Sequence, residues 1–128
     1  MKKLIALMAA ALVSASVYAG EFPDISMQEV KAASAARTAV IIDANSPSSY
    51  QAGHVPGALS WAEIKGDLAA KLPADKNTLI IAYCGNPHCG AYAQAAKAVE
   101  KLGYTNVKHM AAGIDGWNEA KMPTESAK

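Results

Sequence analysis

The sequence predicts an α/β fold in which helices cover both faces of a central, mainly parallel β-sheet. Two short runs of apolar and β-branched residues, TAVIID at 38–43 and NTLIIAYC at 77–84, have the composition of buried strands. Helix-like segments alternate with these runs, and such alternation favours parallel βαβ units in a three-layer sandwich. The 128 residues are enough for one domain with a hydrophobic core.

The other elements follow from local signals along the chain. The first helix is predicted at 25–36, where Ser26 and Glu29 have the spacing of a capping box. The segment 45–58 is turn-rich, with Pro47, Gly53, Pro56 and Gly57, and Ser46 or Ser48 is a candidate start for a single helical turn there. A helix at 90–103 is rich in alanine, carries an apolar stripe and ends at a glycine suited to a left-handed cap. The remaining predicted elements are a brief strand at 58–61, a helix at 62–72, a strand at 106–110, a helix at 113–120 and a frayed tail at 121–128.

The N-terminus has the pattern of a secretory signal peptide. Residues 1–3 carry two lysines, residues 4–17 are apolar but too few to span a bilayer, and small residues precede a cleavage site after Ala19. An uncleaved membrane anchor is the alternative. We therefore expect a signal peptide at 1–19 and a single domain at 20–128, with its core at about 25–121.

Composition narrows the classes of partner. Charged residues make up 18% of the chain, and no basic run or basic face with interleaved aromatics is present, which argues against nucleic-acid binding. Loss of Lys2 and Lys3 with the signal peptide leaves 10 basic and 11 acidic residues, a formal charge of −1. The expected mature chain is periplasmic, without stable membrane insertion. That compartment is oxidising, so two neighbouring thiols are not expected to stay reduced by default.

The two cysteines lie in a segment where a reactive thiolate and anion binding are expected. Cys84 ends a predicted strand, and the loop after it enters a helix whose N–H groups and dipole favour a thiolate and an anion. A buried structural cysteine is the alternative. Cys89 is compatible with a disulfide to Cys84, a resolving thiol, or a metal site that also uses His88. The spacing does not fit a zinc pattern and no fourth ligand is visible, so no metal is expected.

Four segments, in order, resemble the single-domain rhodaneses, a family of sulfurtransferase-like domains. Gly-His-Val-Pro-Gly-Ala together with a cysteine at a strand end is the specific part of this likeness, which covers about residues 25–121. The segments are VIID at 40–43, SYQAGHVPGA at 49–58, IIAYCGNPHCGAYAQAAKAVEKLGY at 80–104 and AAGIDGWNEA at 111–120, where Ala112 replaces a family glycine.

The resemblance implies a rhodanese-like α/β sandwich and a sulfurtransferase without a cofactor. Cys84 would take sulfane sulfur from a small anionic donor as a persulfide and pass it to a thiol or another acceptor. Cys89 would be a possible resolving thiol. The residues implied in substrate binding are those of the loop: Gly85, Asn86, Pro87, His88 and Gly90.

Other positions of the family motifs are expected to have structural roles. Asp43 is expected to cap nearby N–H groups, His54 to hold its turn by hydrogen bonding, Gly57 to supply turn dihedrals and Trp117 to pack in the core. His109, outside these motifs, is expected to be a surface or strand residue without a role.

The chain departs from the family at two positions where arginine is common. Cys89 closes the loop in place of arginine, and Asp43-Ala44-Asn45 replaces an Asp-x-Arg sequence. Arginine supplies charge and paired hydrogen bonds to oxyanions, so its absence argues against efficient use of thiosulfate. Two alternatives stay open: a thiol–disulfide or redox-sensing protein with a protein redox partner, and a non-catalytic binding domain with a permanent bridge.

Overall fold

A four-stranded sheet forms the centre of the protein, and all of its strand pairings are parallel. The structure is a computed structural model that describes residues 22–127, so the expected signal peptide lies outside the described residues. The strand order is β2-β1-β3-β4, which confirms the predicted parallel α/β sheet. The strands are β1 Ala39–Asp43, β2 Leu59–Ser60, β3 Leu79–Tyr83 and β4 Val107–His109.

Helices pack on both faces of this sheet. The predicted helix at 62–72 is wrong as a single element, because it is divided into two four-residue helices joined by a 3-10 turn at Lys65–Asp67. Gly66 lies within that turn, and glycine is a poor helix former. The helices are α1 Met27–Ala36, α2 Pro47–Ala52, α3 Trp61–Ile64, α4 Leu68–Lys71, α5 Tyr92–Lys101 and α6 Gly113–Glu119. No helix within residues 22–127 is long and apolar enough to cross a membrane.

The predicted capping box at the start of α1 is confirmed. The Ser26 hydroxyl accepts a hydrogen bond from the Glu29 N–H at 3.1 Å, and the Glu29 carboxylate accepts one from the Ser26 N–H at 3.3 Å. Such a cap stabilises a helix by about 1 kcal/mol because it satisfies N–H groups that have no partner inside the helix.

Alternation along the strands divides the core into two layers. Ile42, Ile80, Ala82 and Cys84 point to one side, where they meet α5; we call this side the α5 face. Ile41, Ile81 and Tyr83 point to the other side, which we call the α1 face, and meet residues of α1 and α6 such as Val30 and Trp117. Successive side chains of a strand point to opposite faces, so the buried runs at β1 and β3 require helices on both sides.

The prediction of a frayed C-terminal tail is wrong for residues 123–127. His54 and Glu125 exchange two backbone hydrogen bonds of 2.9 Å, and the Ala127 N–H donates to the Gln51 carbonyl at 3.1 Å. The Gly57 N–H donates to the Glu125 carboxylate at 3.1 Å. The tail has no strand-like pattern of its own. Its partners lie in a segment far away in sequence, and only the folded chain brings the two together.

Candidate functional site

Cys84 lies directly after the last residue of β3 and is joined to Cys89 by a disulfide. The two Cα atoms are 6.3 Å apart, within the range that a disulfide can span. Only 1% of the surface of Cys84 is exposed. Of the three arrangements that the sequence left open, the structure contains the bridge. Both sulfurs are used in it, so the metal site with His88 is not formed in this structure.

The loop between the cysteines is organised by Asn86. Its side-chain oxygen accepts the His88 N–H at 2.9 Å, and its carbonyl accepts the Cys89 N–H at 3.0 Å. Pro87 has no N–H to donate. The His88 and Cys89 N–H groups are therefore satisfied within the loop itself.

Gly90 is one of three loop residues, with Gly85 and Asn86, whose backbone N–H groups have no hydrogen-bond acceptor in the described part of the chain. Within the part of the chain that the structure describes, its N–H has no hydrogen-bond partner, although its carbonyl accepts the Ala93 N–H at 3.1 Å. It lies just before α5, which begins at Tyr92 and has no side-chain cap. The helix dipole points its positive end at this loop, and that end favours a thiolate or another anion.

Backbone hydrogen bonds join the first residues of the cysteine loop to the start of α6. The Ile114 N–H donates to the Cys84 carbonyl and the Asp115 N–H donates to the Gly85 carbonyl, both at 2.9 Å. Gly113 makes this approach possible: its φ is +66°, and a Cβ there would lie 2.5 Å from the Gly85 carbonyl carbon and 2.7 Å from the Asn86 nitrogen. Gly113 was not among the site residues predicted from the sequence. The sequence did contain a signal for this residue, because Gly113 directly follows Ala112, the replaced family glycine, in the segment 111–120 that resembles the family.

Asp43 connects three segments beneath the site. It is fully buried, and its carboxylate accepts the Asn45 N–H and the Tyr83 hydroxyl, both at 2.7 Å. The Tyr83 oxygen in turn accepts the Val55 N–H at 3.1 Å. Burial, followed by the nearby Asp43 carboxylate, raises the pKa of Tyr83 far above its ordinary value. The network therefore ties the end of β1 to β3 and to the Gly-His-Val-Pro-Gly segment.

His54 is placed within its own turn. Its Nδ1 donates to the Tyr50 carbonyl at 2.7 Å, and its ring stacks on the Tyr50 ring with centroids 3.8 Å apart. Its Nε2 lies 3.9 Å from the Glu125 carboxylate. As the structure describes them, none of these contacts reaches the cysteine loop, so His54 and Cys84 are not brought together.

Gly57 and Trp117 are also placed in the scaffold. Gly57 has a φ of +85° in a position open enough for a Cβ. Trp117 is fully buried on the α1 face, and its indole N–H donates to the Pro123 carbonyl at 2.6 Å. Gly57 therefore shapes its turn, and Trp117 packs in the core.

His109 is a strand residue, the last of β4, but it is buried and does not lie at the surface. It pairs in register with Ala82 and so points to the α5 face, where 8% of its surface is exposed. Its ring stacks on Tyr92 with centroids 3.4 Å apart, and Phe22 meets Tyr92 edge-on. Burial lowers the pKa of His109 below its ordinary value, and the Asp24 carboxylate partly opposes this shift.

This lowered pKa predicts that stability falls as the pH is lowered through about 6.5, the ordinary histidine pKa. Below that pH the unfolded chain binds a proton that folded His109 resists, so protonation favours unfolding. His109→Phe keeps a ring against Tyr92 and should reduce the slope of unfolding free energy against pH between 7 and 5. Denaturant titrations across this range measure the slope, with the exposed His88→Gln as control. An unchanged slope in His109→Phe would contradict this assignment.

Four cavities within residues 22–127 lie apart from the cysteine loop. One of about 380 Å³ lies on the α1 face and is lined by Ser34, Arg37, Ile41, Pro56 and Glu125, among others. No residue of the segment from Cys84 to Gly90 lines it. Residues 22–127 contain no group of three or more His, Cys, Asp or Glu side chains arranged to hold a metal ion. The cysteine loop therefore lies at the edge of the sheet, apart from these cavities.

Comparison with known families and sequences gives one family match and two similar bacterial proteins. The pattern of the rhodanese-like domain family matches residues 26–120. The thiosulfate sulfurtransferase GlpE of Pseudoalteromonas translucida is 40% identical over 83 residues, which are 63% of this chain and 74% of that protein. An HTH-type transcriptional regulator of Mycobacterium tuberculosis is 32% identical over 87 residues, which are 66% of this chain. This chain spans only 37% of the length of that regulator.

Solved structures with a similar fold include two bacterial proteins. A thiosulfate sulfurtransferase from Pseudomonas aeruginosa superposes with a TM-score of 0.67 at 28% identity, over 84% of this chain and 21% of that one. A protein of Bacillus halodurans superposes with a TM-score of 0.71 at 21% identity, over 95% of this chain and 85% of that one. At 21% identity, the second likeness concerns the fold alone.

Proposed function

Because this chain belongs to the family of rhodanese-like domains, we propose that it is a sulfurtransferase that carries sulfane sulfur as a persulfide on Cys84. The observation that carries the proposal is the position of Cys84: at the carboxyl end of β3, before the start of α5, and bridged to Cys89. Ligands of parallel α/β sheets bind at this edge. The likeness to thiosulfate sulfurtransferases supports the type of reaction.

The proposed first step follows reduction of the disulfide by a thiol reductant. The Cys84 thiolate attacks the outer, sulfane sulfur of the donor, and the sulfur–sulfur bond of the donor breaks with its electron pair leaving on the remainder. With thiosulfate the products are the Cys84 persulfide and sulfite. The Gly90 N–H and the start of α5 stabilise negative charge at this point. The α6 amides bonded to the carbonyls of Cys84 and Gly85 hold the loop in place.

The proposed second step uses Cys89. Its thiolate attacks the inner sulfur of the Cys84 persulfide, hydrosulfide leaves with the electron pair, and the Cys84–Cys89 disulfide forms. The released sulfur is reduced while the two cysteines are oxidised, so each turn of this cycle consumes one external dithiol. An acceptor thiol that takes the outer sulfur directly would bypass Cys89 and leave the pair reduced.

Intact mass measurements on the full mature protein test the proposal. Protein purified without reductant should be lighter than reduced protein by two hydrogens, about 2 Da. Reduced protein, after removal of reductant and addition of a sulfane donor, should gain about 32 Da, the mass of one sulfur atom, before it returns to the disulfide mass. Reduced protein that never gains sulfur with any donor would overturn the persulfide proposal.

The disulfide itself favours a second candidate, a thiol–disulfide or redox-sensing protein. That function predicts a Cys84–Cys89 reduction potential close to that of its compartment and no persulfide with any donor. A bridge that mild reductant cannot open in the folded protein would instead indicate a non-catalytic binding domain. Equilibration with thiol buffers of known potential, read by intact mass, distinguishes the two.

We also propose that the protein acts in the periplasm, after cleavage following Ala19. The basic and apolar character of residues 1–19 supports this location. An oxidising compartment would return Cys84 and Cys89 to the disulfide and make turnover depend on a reducing protein partner. An intact mass that starts at Gly20, in protein recovered from cell envelopes, is the expected result. Recovery of the full-length chain in the cytoplasm would oppose it.

A further inference from the structure

Two cavities on the α1 face adjoin each other and form one groove. The cavity of about 380 Å³ and a second of about 280 Å³ share Ser34, Arg37 and Pro56 in their walls. The Ser34 hydroxyl donates to the Pro56 carbonyl at 2.6 Å and so ties α1 to the turn before β2. We call the two cavities together the α1 groove. Glu125 also lines the first cavity, and Lys31, Trp117 and Pro123 also line the second.

The α1 groove is separate from the cysteine loop. Ala39, the first residue of β1, lines the groove and pairs in register with Leu79, the first residue of β3. Cys84 follows the last residue of β3. The groove therefore reaches the amino edge of the parallel sheet, whereas the cysteines lie at its carboxyl edge.

The charged side chains of the α1 groove leave one positive charge in excess. Lys31 and Arg37 are its two cations, and within residues 22–127 neither has an ion-pair partner or a side-chain hydrogen bond. Glu125 is the single carboxylate, and it already accepts the Gly57 N–H at 3.1 Å and lies 3.9 Å from His54 Nε2. A ligand with one negative charge would therefore balance the groove.

Arg37 has a backbone conformation that favours glycine. It ends α1 with a left-handed φ of +58°, where a Cβ is unfavourable and glycine is the common residue. A cation in the last turn of α1 would interact with the helix dipole without this conformation, yet that turn contains none. Residues held in unfavourable conformations are concentrated at functional sites. The arginine side chain is therefore best explained by a contact that it makes in the groove.

Apolar side chains lie next to these cations. Trp117, Pro56 and Pro123 line the second cavity. The Trp117 indole N–H donates to the Pro123 carbonyl at 2.6 Å, and the Ser34 hydroxyl hydrogen is bound to Pro56, so neither group is a free donor. Small-molecule sites have this composition, with apolar walls and a few polar groups that fix the orientation of the ligand.

We propose that the α1 groove binds a small organic acid whose carboxylate is held by Arg37 and Lys31. Its apolar part packs against Trp117, Pro56 and Pro123. A guanidinium group matches a carboxylate with two parallel N–H donors, and the Lys31 ammonium adds a second charge-assisted contact. A dianion such as phosphate would carry one charge too many beside Glu125 and has no apolar part. This site does not depend on the proposed sulfur transfer.

Titrations of the ¹⁵N-labelled protein, followed by amide chemical shifts, test the site. The probes are phenylacetate, its neutral isostere phenylacetamide, and inorganic phosphate. We expect phenylacetate to bind with a Kd of about 1 mM or lower and to shift the amides of Ser34, Arg37 and Gly57. Phenylacetamide and phosphate should each bind at least about tenfold more weakly, because one lacks the charge and the other lacks the apolar part.

Arg37→Gly separates ligand binding from stability. Glycine removes the guanidinium and relieves the left-handed backbone, so this variant should melt about 5 °C above the wild type yet bind phenylacetate at least about tenfold more weakly. Lys121→Gly is the matched control. Lys121 is the other non-glycine residue of residues 22–127 with a positive φ, +57°, and it lines none of the four cavities. It should gain stability similarly and bind like the wild type.

Each contrary outcome would overturn the site and leave the proposed sulfurtransferase intact. Phenylacetate that does not bind, or that binds no more tightly than phenylacetamide or phosphate, would remove the organic acid as the ligand. Binding unchanged in Arg37→Gly, or weakened equally in Lys121→Gly, would show that Arg37 does not hold the carboxylate. An Arg37→Gly protein that melts below the wild type would show that this arginine is retained for stability.

Discussion

Cys84→Ala should abolish the gain of sulfur completely, whereas Cys89→Ser should retain it. Cys84 is the cysteine at the end of β3, in contact with the buried cluster under α5, and its removal leaves no nucleophile at the expected point of attack. Cys89→Ser keeps Cys84 and removes only the thiol that would resolve its persulfide. Without added thiol, we expect the Cys89→Ser persulfide to persist and its release of sulfide to fall by at least tenfold.

Each of these variants is the control for the other. Both remove the disulfide, so a difference between them cannot come from loss of the bridge as a structural crosslink. Intact mass measures persulfide, and a sulfide-selective electrode measures release. A Cys89→Ser protein that turns over like the wild type, with the same demand for reductant, would remove Cys89 from the reaction. Sulfur gained by Cys84→Ala would place the carrier elsewhere.

Gly113→Ala should destabilise the protein by about 3 kcal/mol and displace the cysteine loop. Gly113 has a left-handed backbone, with a φ of +66°, which costs an alanine about 1–2 kcal/mol. A methyl group there would also lie 2.5 Å from the Gly85 carbonyl carbon, too close for any real contact. Backbone cannot move aside like a flexible side chain, so the strand end and α6 must separate.

Gly57→Ala separates the free-energy cost of a left-handed backbone from the cost of a steric clash with neighbouring backbone. Gly57 also has a left-handed backbone, at φ +85°, but its surroundings have room for a Cβ. We expect Gly57→Ala to lose only about 1 kcal/mol and to keep sulfur transfer. Denaturant unfolding and single-turnover persulfide formation compare the two variants. Equal losses of stability, with equal activity, would show that contact between Gly113 and Gly85 does not hold the site.

Local features of the fold were readable from the sequence. The apolar runs at β1 and β3, the capping box at Ser26 and the alanine-rich helix α5 all depend on residues within one element, because periodicity and capping are short-range properties. The interrupted segment between Trp61 and Lys71 is the exception. Its apolar pattern is helical, but Gly66 weakens the middle and tertiary packing does not restore a continuous helix there.

The candidate site could be predicted only in part. A cysteine after a buried strand and before a helix indicates Cys84, because strand, loop and helix are adjacent in sequence. Gly113 was missed because its importance comes from contact with Gly85, a neighbour only in the folded chain. His109 was taken for a surface or strand residue without a role, and its burial under Tyr92 depends on how α5 crosses β4.

The sequence by itself determined the strands β1 and β3, the helices α1 and α5, the parallel α/β sheet and the position of Cys84, since these follow from hydrophobic periodicity and local order. The tertiary structure alone decided three other features. It brought Cys84 within bonding distance of Cys89, paired the tail around Glu125 with His54, and placed Lys31 and Arg37 in one groove with Trp117. Each depends on the relative placement of loops and distant segments, and a one-dimensional pattern does not encode such distances directly.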